Sequence, residues 1–183
     1  AVEYYLKEQV KKIPGLGKHA EFIHFGLTSE DVNNLAYGLM VHAGLKEVLI
    51  PNLKATIADL QRLAKRWSNV RLLSLTHGQP ATPSTVGTQL QVFVDRLQRQ
   101  LDQLKAFRMQ GKFGGAVGNY AAHAMAYPTV KWETFGRKFV RSLGLDPLQH
   151  THQSNPHDDI AELCHCLERC NAILLDLSRD VWL

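Results

Sequence analysis

NPHDDIAELCHCLERCNAILLDLSRDVWL, residues 155–183, is the stretch that decides the fold. Ile160, Leu163, Leu167, Cys170, Leu174, Leu177 and Val181 recur at alternating spacings of three and four, the seam of a helix packed in a bundle. Asn155 reads as its N-cap and Pro156 suits the first turn. Asp158 and Asp159 favour the positive end of the helix dipole.

Upstream the same signal repeats. Val86, Leu90, Val94, Leu97, Leu101 and Leu104 step by three or four, and a glycine-rich loop at 111–118 follows that helix. Leu35, Leu39, Leu45, Leu49, Leu53, Ile57 and Leu60 mark another, with Thr28 or Ser29 as cap and Glu30 and Asp31 in its first turn. Pro51 interrupts it and predicts a kink or short break. Shorter helices are expected at 4–12 and 129–143. The fold class is therefore all-α, a long-helix bundle, with no internal repeat.

Composition bounds the function. The chain has 183 residues, 45% hydrophobic and 21% charged, as in an ordinary soluble protein. No apolar run approaches the ~18 residues of a membrane span, and nothing resembles a signal peptide. The net charge of +4 comes from Lys and Arg interleaved with Asp and Glu. That pattern makes a solvated helix face rather than a nucleic-acid surface. Cys164, Cys166 and Cys170 are expected to share one helix with His157 and His165. Cys164 and Cys166 point about 200° apart on a helix, so they cannot grip one ion together. Core thiols in a reducing, cytoplasmic setting are the better reading, and no metal is expected.

Leu73-Ser74-Leu75-Thr76-His77-Gly78-Gln79-Pro80-Ala81-Thr82-Pro83-Ser84-Thr85 carries the chemistry. His77 stands among hydroxyls and an amide in a loop stiffened by glycine and proline. An imidazole gives or takes a proton near neutral pH. Either His77 is a proton-transfer group or it is incidental to the loop. Thr28 and Ser29 offer hydroxyls and helix-start N–H groups to a carboxylate, or simply cap the helix. Lys112 with the glycines at 114–118 could form an anion-binding nest.

These segments carry a resemblance. THGQPATPST around His77, His24-Phe25-Gly26-Leu27-Thr28-Ser29-Glu30-Asp31, GKFGGAVGNY at 111–120 and Gln153 with Pro156-His157-Asp158 resemble, in the expected order, the motifs of the adenylosuccinate lyase family. That family lies within the fumarase/aspartase superfamily. The resemblance implies its central helical domain, assembled into a tetrameric helical core, with 1–22 the end of the preceding domain or a connecting helix and 23–183 the bundle domain, expected to be truncated at its C-terminal end. It implies β-elimination of fumarate from adenylosuccinate and from SAICAR, without a cofactor, at sites shared between subunits.

By the same resemblance His77 is the general acid. Thr28, Ser29, Gln153 and Asn119 contact substrate, and His24 lies near the nucleotide phosphate. His157 is first-turn structure and His123 has no assigned role. Leu75, Ala121 and Ser154-Asn155 depart from the family pattern and loosen the substrate assignment without touching His77. The family's catalytic serine loop, SS-x-MP-x-K-x-NP, does not occur in these residues and is expected beyond Leu183. A T-x-H-D-V segment is expected before Ala1. The 183 residues alone are expected to be a partial, inactive piece. Rival readings are argininosuccinate lyase or fumarase, and a helical oligomerisation module without catalysis.

Overall fold

The computed structural model describes residues 1–182. Its first half runs α1 (Val2–Lys11), a 3-10 segment (Gly17–Phe22), α2 (Ser29–Gly44), a π-helical turn (Leu45–Leu49) and α3 (Ile50–Arg66). Two strands follow, β1 (Arg71–Thr76) and β2 (Gln79–Thr85), and then α4 (Val86–Ala106). The rest is β3 (Gln110–Gly111), α5 (Ala121–Ala126), α6 (Trp132–Ser142), β4 (Asp146–Pro147) and α7 (Asp158–Trp182). Two compact units emerge, Ala1–Val41 with Met109–His157, and His42–Arg108 with Asp158–Leu183. Among the described residues no helix is long and apolar enough to cross a membrane.

The second unit holds the long-helix core. Ile57, Leu60 and Ala64 of α3 pack with Leu90, Phe93, Val94, Leu97 and Leu101 of α4 and Ile173 of α7. The α4 stripe read from sequence is buried from Leu90 to Leu104, with Leu97 fully enclosed. Thr85 caps α4, its hydroxyl accepting the Thr88 N–H at 3.1 Å. On α7 the buried face is Leu163, Cys166, Cys170 and Ile173, rotated slightly from the stripe expected through Leu167 and Val181. Arg169 explains part of the rotation: its guanidinium donates to the side-chain oxygens of Gln100 and Gln103 on α4, fixing which side of α7 faces inward.

The expected break at Pro51 takes the form of the π-turn. Proline removes one ladder bond and crowds the carbonyl four residues back, and the wider turn at Leu45–Leu49 accommodates both. The start of α7 differs from expectation. Asn155 does not cap it; the helix begins at Asp158. The Asn155 side chain instead accepts the His157 N–H at 2.9 Å, and His157 turns the chain with φ 59°.

The all-α reading needs one correction. The chain is mostly helical, but residues 71–85 form an antiparallel ribbon, paired from Arg71 with Thr85 to Thr76 with Gln79. Pro80 and Pro83 argue against a central strand, yet in a two-stranded ribbon every strand is an edge and tolerates them. His77 and Gly78 form the two-residue tip, with φ of 53° and 74°. Positive φ at both central positions is the type I′ geometry that matches strand twist.

In the first unit, β3 and β4 make a two-residue parallel ladder beside buried Leu35, Met109, Val140 and Leu145. An aromatic cluster surrounds His123, which is 1% exposed. The rings of Phe25, Phe113, Tyr120 and Trp132 lie 5.4, 5.8, 5.8 and 4.8 Å from its centroid. Neither imidazole nitrogen meets a hydrogen-bond partner in normal geometry among the described residues. Burial holds its pKa below the ordinary 6.5, against the opposing pull of Asp31 and the Phe25 backbone. Gly26, with φ 64°, lies against the ring; a Cβ there would come within 2.7 Å of it.

Two predictions follow from these contacts. A Cβ at Gly87 would stand 2.4 Å from the Ala64 carbonyl oxygen and 2.7 Å from the Ser68 Cα. Overpacking against backbone costs about 1–3 kcal/mol and opposes the ~1 kcal/mol helix gain of alanine. Gly87→Ala is therefore expected to lower the thermal midpoint of the full-length protein, and a raised midpoint would refute the close approach. Native His123 binds its proton less readily than unfolded His123. Its stabilising contribution is thus present above about pH 6.5 and is lost as pH falls toward the native pKa. Between about pH 8 and pH 5, thermal unfolding of wild type should fall more steeply than that of His123→Leu. Parallel curves would show that the imidazole is not held neutral.

Candidate functional site

Thr28 precedes the first residue of α2, and the helix is locked by half of a capping box. Asp31, in the first turn, reaches back so that its Oδ2 accepts the Thr28 N–H at 2.9 Å. The reciprocal bond is absent: the Thr28 hydroxyl lies 3.4 Å from the Gln153 amide nitrogen, which donates to it. The structure thus brings together two of the residues singled out from sequence, 125 positions apart. Ser29 is exposed beside them.

Asp31 is fully buried and accepts three further donors. The Lys112 ammonium lies 2.8 Å from Oδ1, the Gly114 N–H donates to Oδ1 at 2.9 Å, and the Gly115 N–H to Oδ2 at 3.0 Å. Lys112, with no exposed side-chain surface, also donates to the Gly115 carbonyl at 2.7 Å. The glycine-rich loop is therefore a nest whose anion is internal. The reading of Lys112 and its glycines as a cradle for an external anion is corrected at Lys112, Gly114 and Gly115.

Asn34 completes the attachment. Its side chain accepts the Lys112 N–H at 2.7 Å and donates to the Lys112 carbonyl at 2.9 Å, pairing with that peptide as a neighbouring strand would. Asn155 donates to the same Asn34 oxygen at 3.4 Å, tying the segment that carries Gln153 to this cluster. Asp31, Asn34 and Lys112 were not identified as the framework of the site from sequence. The available signal was the spacing of Thr28 and Asp31, which is that of a capping box.

The remaining candidates are placed as follows. Asn119 is exposed at the far end of the loop, lines a cleft of about 380 Å³ and accepts the Ala121 N–H at 3.1 Å. His24 has φ 66° and pairs through Nδ1 with the Glu3 carboxylate at 3.0 Å. The bond from His24, followed by that from Lys7, holds the Glu3 carboxyl below the usual range. His157 lies 3.4 Å from Glu30. His77 is exposed at the ribbon tip and belongs to the other unit.

For metals, Cys164 is exposed while Cys166 and Cys170 are buried. Burial pushes the Cys170 thiol up to about 11, leaving it a protonated core group rather than a thiolate ligand. Among the described residues no three His, Cys, Asp or Glu side chains gather as an ion would require.

Comparison with known proteins agrees with this architecture. Two solved structures share the fold: 3-carboxy-cis,cis-muconate lactonizing enzyme from Pseudomonas putida (TM-score 0.79, 22% identity) and beta-carboxy-cis,cis-muconate cycloisomerase from Acinetobacter calcoaceticus (0.80, 21%). Each match covers 97% of this chain and 39% or 40% of the other. Similarity in sequence is much stronger elsewhere. Adenylosuccinate lyase of Escherichia coli strain K12 is 50% identical over 182 residues, and that of Haemophilus influenzae 47%. Both alignments cover 100% of this chain, which spans 40% of the length of those relatives. The family model described as Lyase matches residues 1–183, and the chain belongs to that family.

Proposed function

We propose that this chain is part of an adenylosuccinate lyase, which eliminates fumarate from adenylosuccinate to leave AMP and from SAICAR to leave AICAR. The observation that carries the reading is 50% identity across 182 residues, with the THGQ histidine at an exposed hairpin tip. Residues 1–22 end the preceding domain and 23–183 belong to the central bundle.

The chemistry divides into two proton transfers. A base takes the proton from the carbon beside one carboxylate, and negative charge builds on that carboxylate. The carbon–nitrogen bond then breaks, its electrons going to nitrogen, and the new carbon–carbon double bond makes fumarate. His77 gives the departing nitrogen its proton. The Thr28 and Ser29 hydroxyls and the first-turn N–H groups of α2 hold a carboxylate where the charge develops. Gln153, which meets Thr28, and Asn119 add donors, and His24 lies toward the phosphate. The base comes from a serine loop elsewhere in the full-length protein.

Tyr37 and Met40 of α2, Val48 of the π-turn, and Leu175 and Trp182 of α7 are exposed, which supports a homotetramer in which subunits cover these faces and share sites. A cytoplasmic location goes with nucleotide synthesis.

Two measurements test the reading. Full-length protein should release AMP and fumarate from adenylosuccinate and leave argininosuccinate and malate untouched; turnover of either of those instead would reassign the substrate. His77→Ala should lower kcat by about 10²- to 10⁴-fold with a small change in KM. Near-normal turnover would remove His77 as the acid.

A further inference from the structure

We infer that Asp31 is a positioning residue for the dicarboxylate end of the substrate, and that Lys112 is the counter-ion that keeps its charge from opposing that anion. The inference rests on the lyase reading and extends it to two residues that need not touch substrate.

In a complete capping box the threonine hydroxyl would be spent on its own helix. Here Asp31 holds the Thr28 N–H at 2.9 Å while the hydroxyl turns to Gln153 at 3.4 Å. The Asp31 N–H, which that hydroxyl would otherwise accept, donates instead to the Thr28 carbonyl at 3.1 Å, and the hydroxyl is left where a ligand can use it. The same carboxylate accepts the Gly114 and Gly115 N–H groups at 2.9 and 3.0 Å. One buried group therefore sets the register between the helix start bearing Thr28 and Ser29 and the loop leading to Asn119.

Charge is the second half of the argument. The N-terminus of α2 favours an anion through its dipole and its N–H groups. A bare carboxylate in that first turn would cancel the advantage. Lys112, 2.8 Å away and equally buried, neutralises it. The pair thus adds no net charge to the cradle, and the other first-turn acid, Glu30, faces His157 at 3.4 Å.

Lys112→Met and the charge-neutral pair Asp31→Asn with Lys112→Met, made in the full-length protein, test the inference. The first leaves a negative charge within a few ångström of the cradle. The second keeps side-chain volume but removes one of the acceptor oxygens. Both should raise KM for adenylosuccinate, and the Kd of succinate measured by calorimetry, on the order of tenfold. The loss in kcat should be smaller than the rise in KM. Leu97→Ala, in the α4 core, serves as a stability control and should lower the thermal midpoint with KM unchanged.

KM and succinate Kd within about twofold of wild type in the variants, with only a lowered midpoint, would overturn the inference and leave Asp31 a structural residue. If Lys112→Met does not fold, the double variant decides. Wild-type protein that binds no succinate would also overturn it. Wild-type protein that binds succinate but does not turn over adenylosuccinate would sink the substrate reading and leave the positioning claim to be judged on Kd.

Discussion

The buried ion pair of Asp31 and Lys112 is the constraint around which the first unit is arranged. Both side chains are fully enclosed. Removing water from a carboxylate and an ammonium costs several kcal/mol per ion, and proximity alone does not repay it. The hydrogen bonds do. Asp31 receives donors from Thr28, Gly114 and Gly115 besides the lysine, and Lys112 donates onward to the Gly115 carbonyl. Each partner is backbone, so satisfying the charges fixes the path of the chain. Loss of one member would leave the other uncompensated, at a cost of about 3–5 kcal/mol.

That arrangement explains why the cluster is polar in a unit with few large apolar side chains buried. Leu35, Val140 and Leu145 crowd Gly111, where a Cβ would come within 2.6 Å of Leu35, so the loop enters its polar anchor directly from an apolar contact. The aromatic cage of His123 borders the same loop, since Gly115 lies 3.6 Å from the imidazole by the position its Cβ would take. Loop, ion pair and cage share one set of backbone positions. Glycine is required at 118, where φ is 76° and a Cβ would come within 2.1 Å of the Thr151 carbonyl oxygen.

The helices were legible because their signal is local and repeated. The α4 stripe runs from Leu90 to Leu104 without a break, and Pro51 announced the irregularity that became the π-turn. The ribbon at 71–85 was not legible as strands. Its prolines speak against pairing, and its leucines at 72, 73 and 75 are all exposed, so no alternation of buried and exposed positions marks it. Among site residues, Thr28, Gln153 and His77 stood out through motifs. Asp31 and Lys112 lie inside two of those motifs, but their pairing was not legible: Asp31 reads as a helix-start acid and Lys112 as a cradle for an outside anion until the fold brings them together. Gly114, for example, meets Asp31 across 83 positions. The α7 start misled for a related reason: Asn155 has the chemistry of a cap, but its amide is spent on Asn34 and His157.

Pro80 and Pro83 have a consequence for what β2 can recruit. A seven-residue strand in which two positions cannot donate is a poor template for another strand. That closes the β2 edge only: Leu72, Leu73 and Leu75 stand exposed on β1, whose own outer edge carries no proline. Whatever lies along β2 must meet it through side chains, whereas β1 keeps a backbone edge beside its leucines. An arm built this way can be extended into a sheet on one side only.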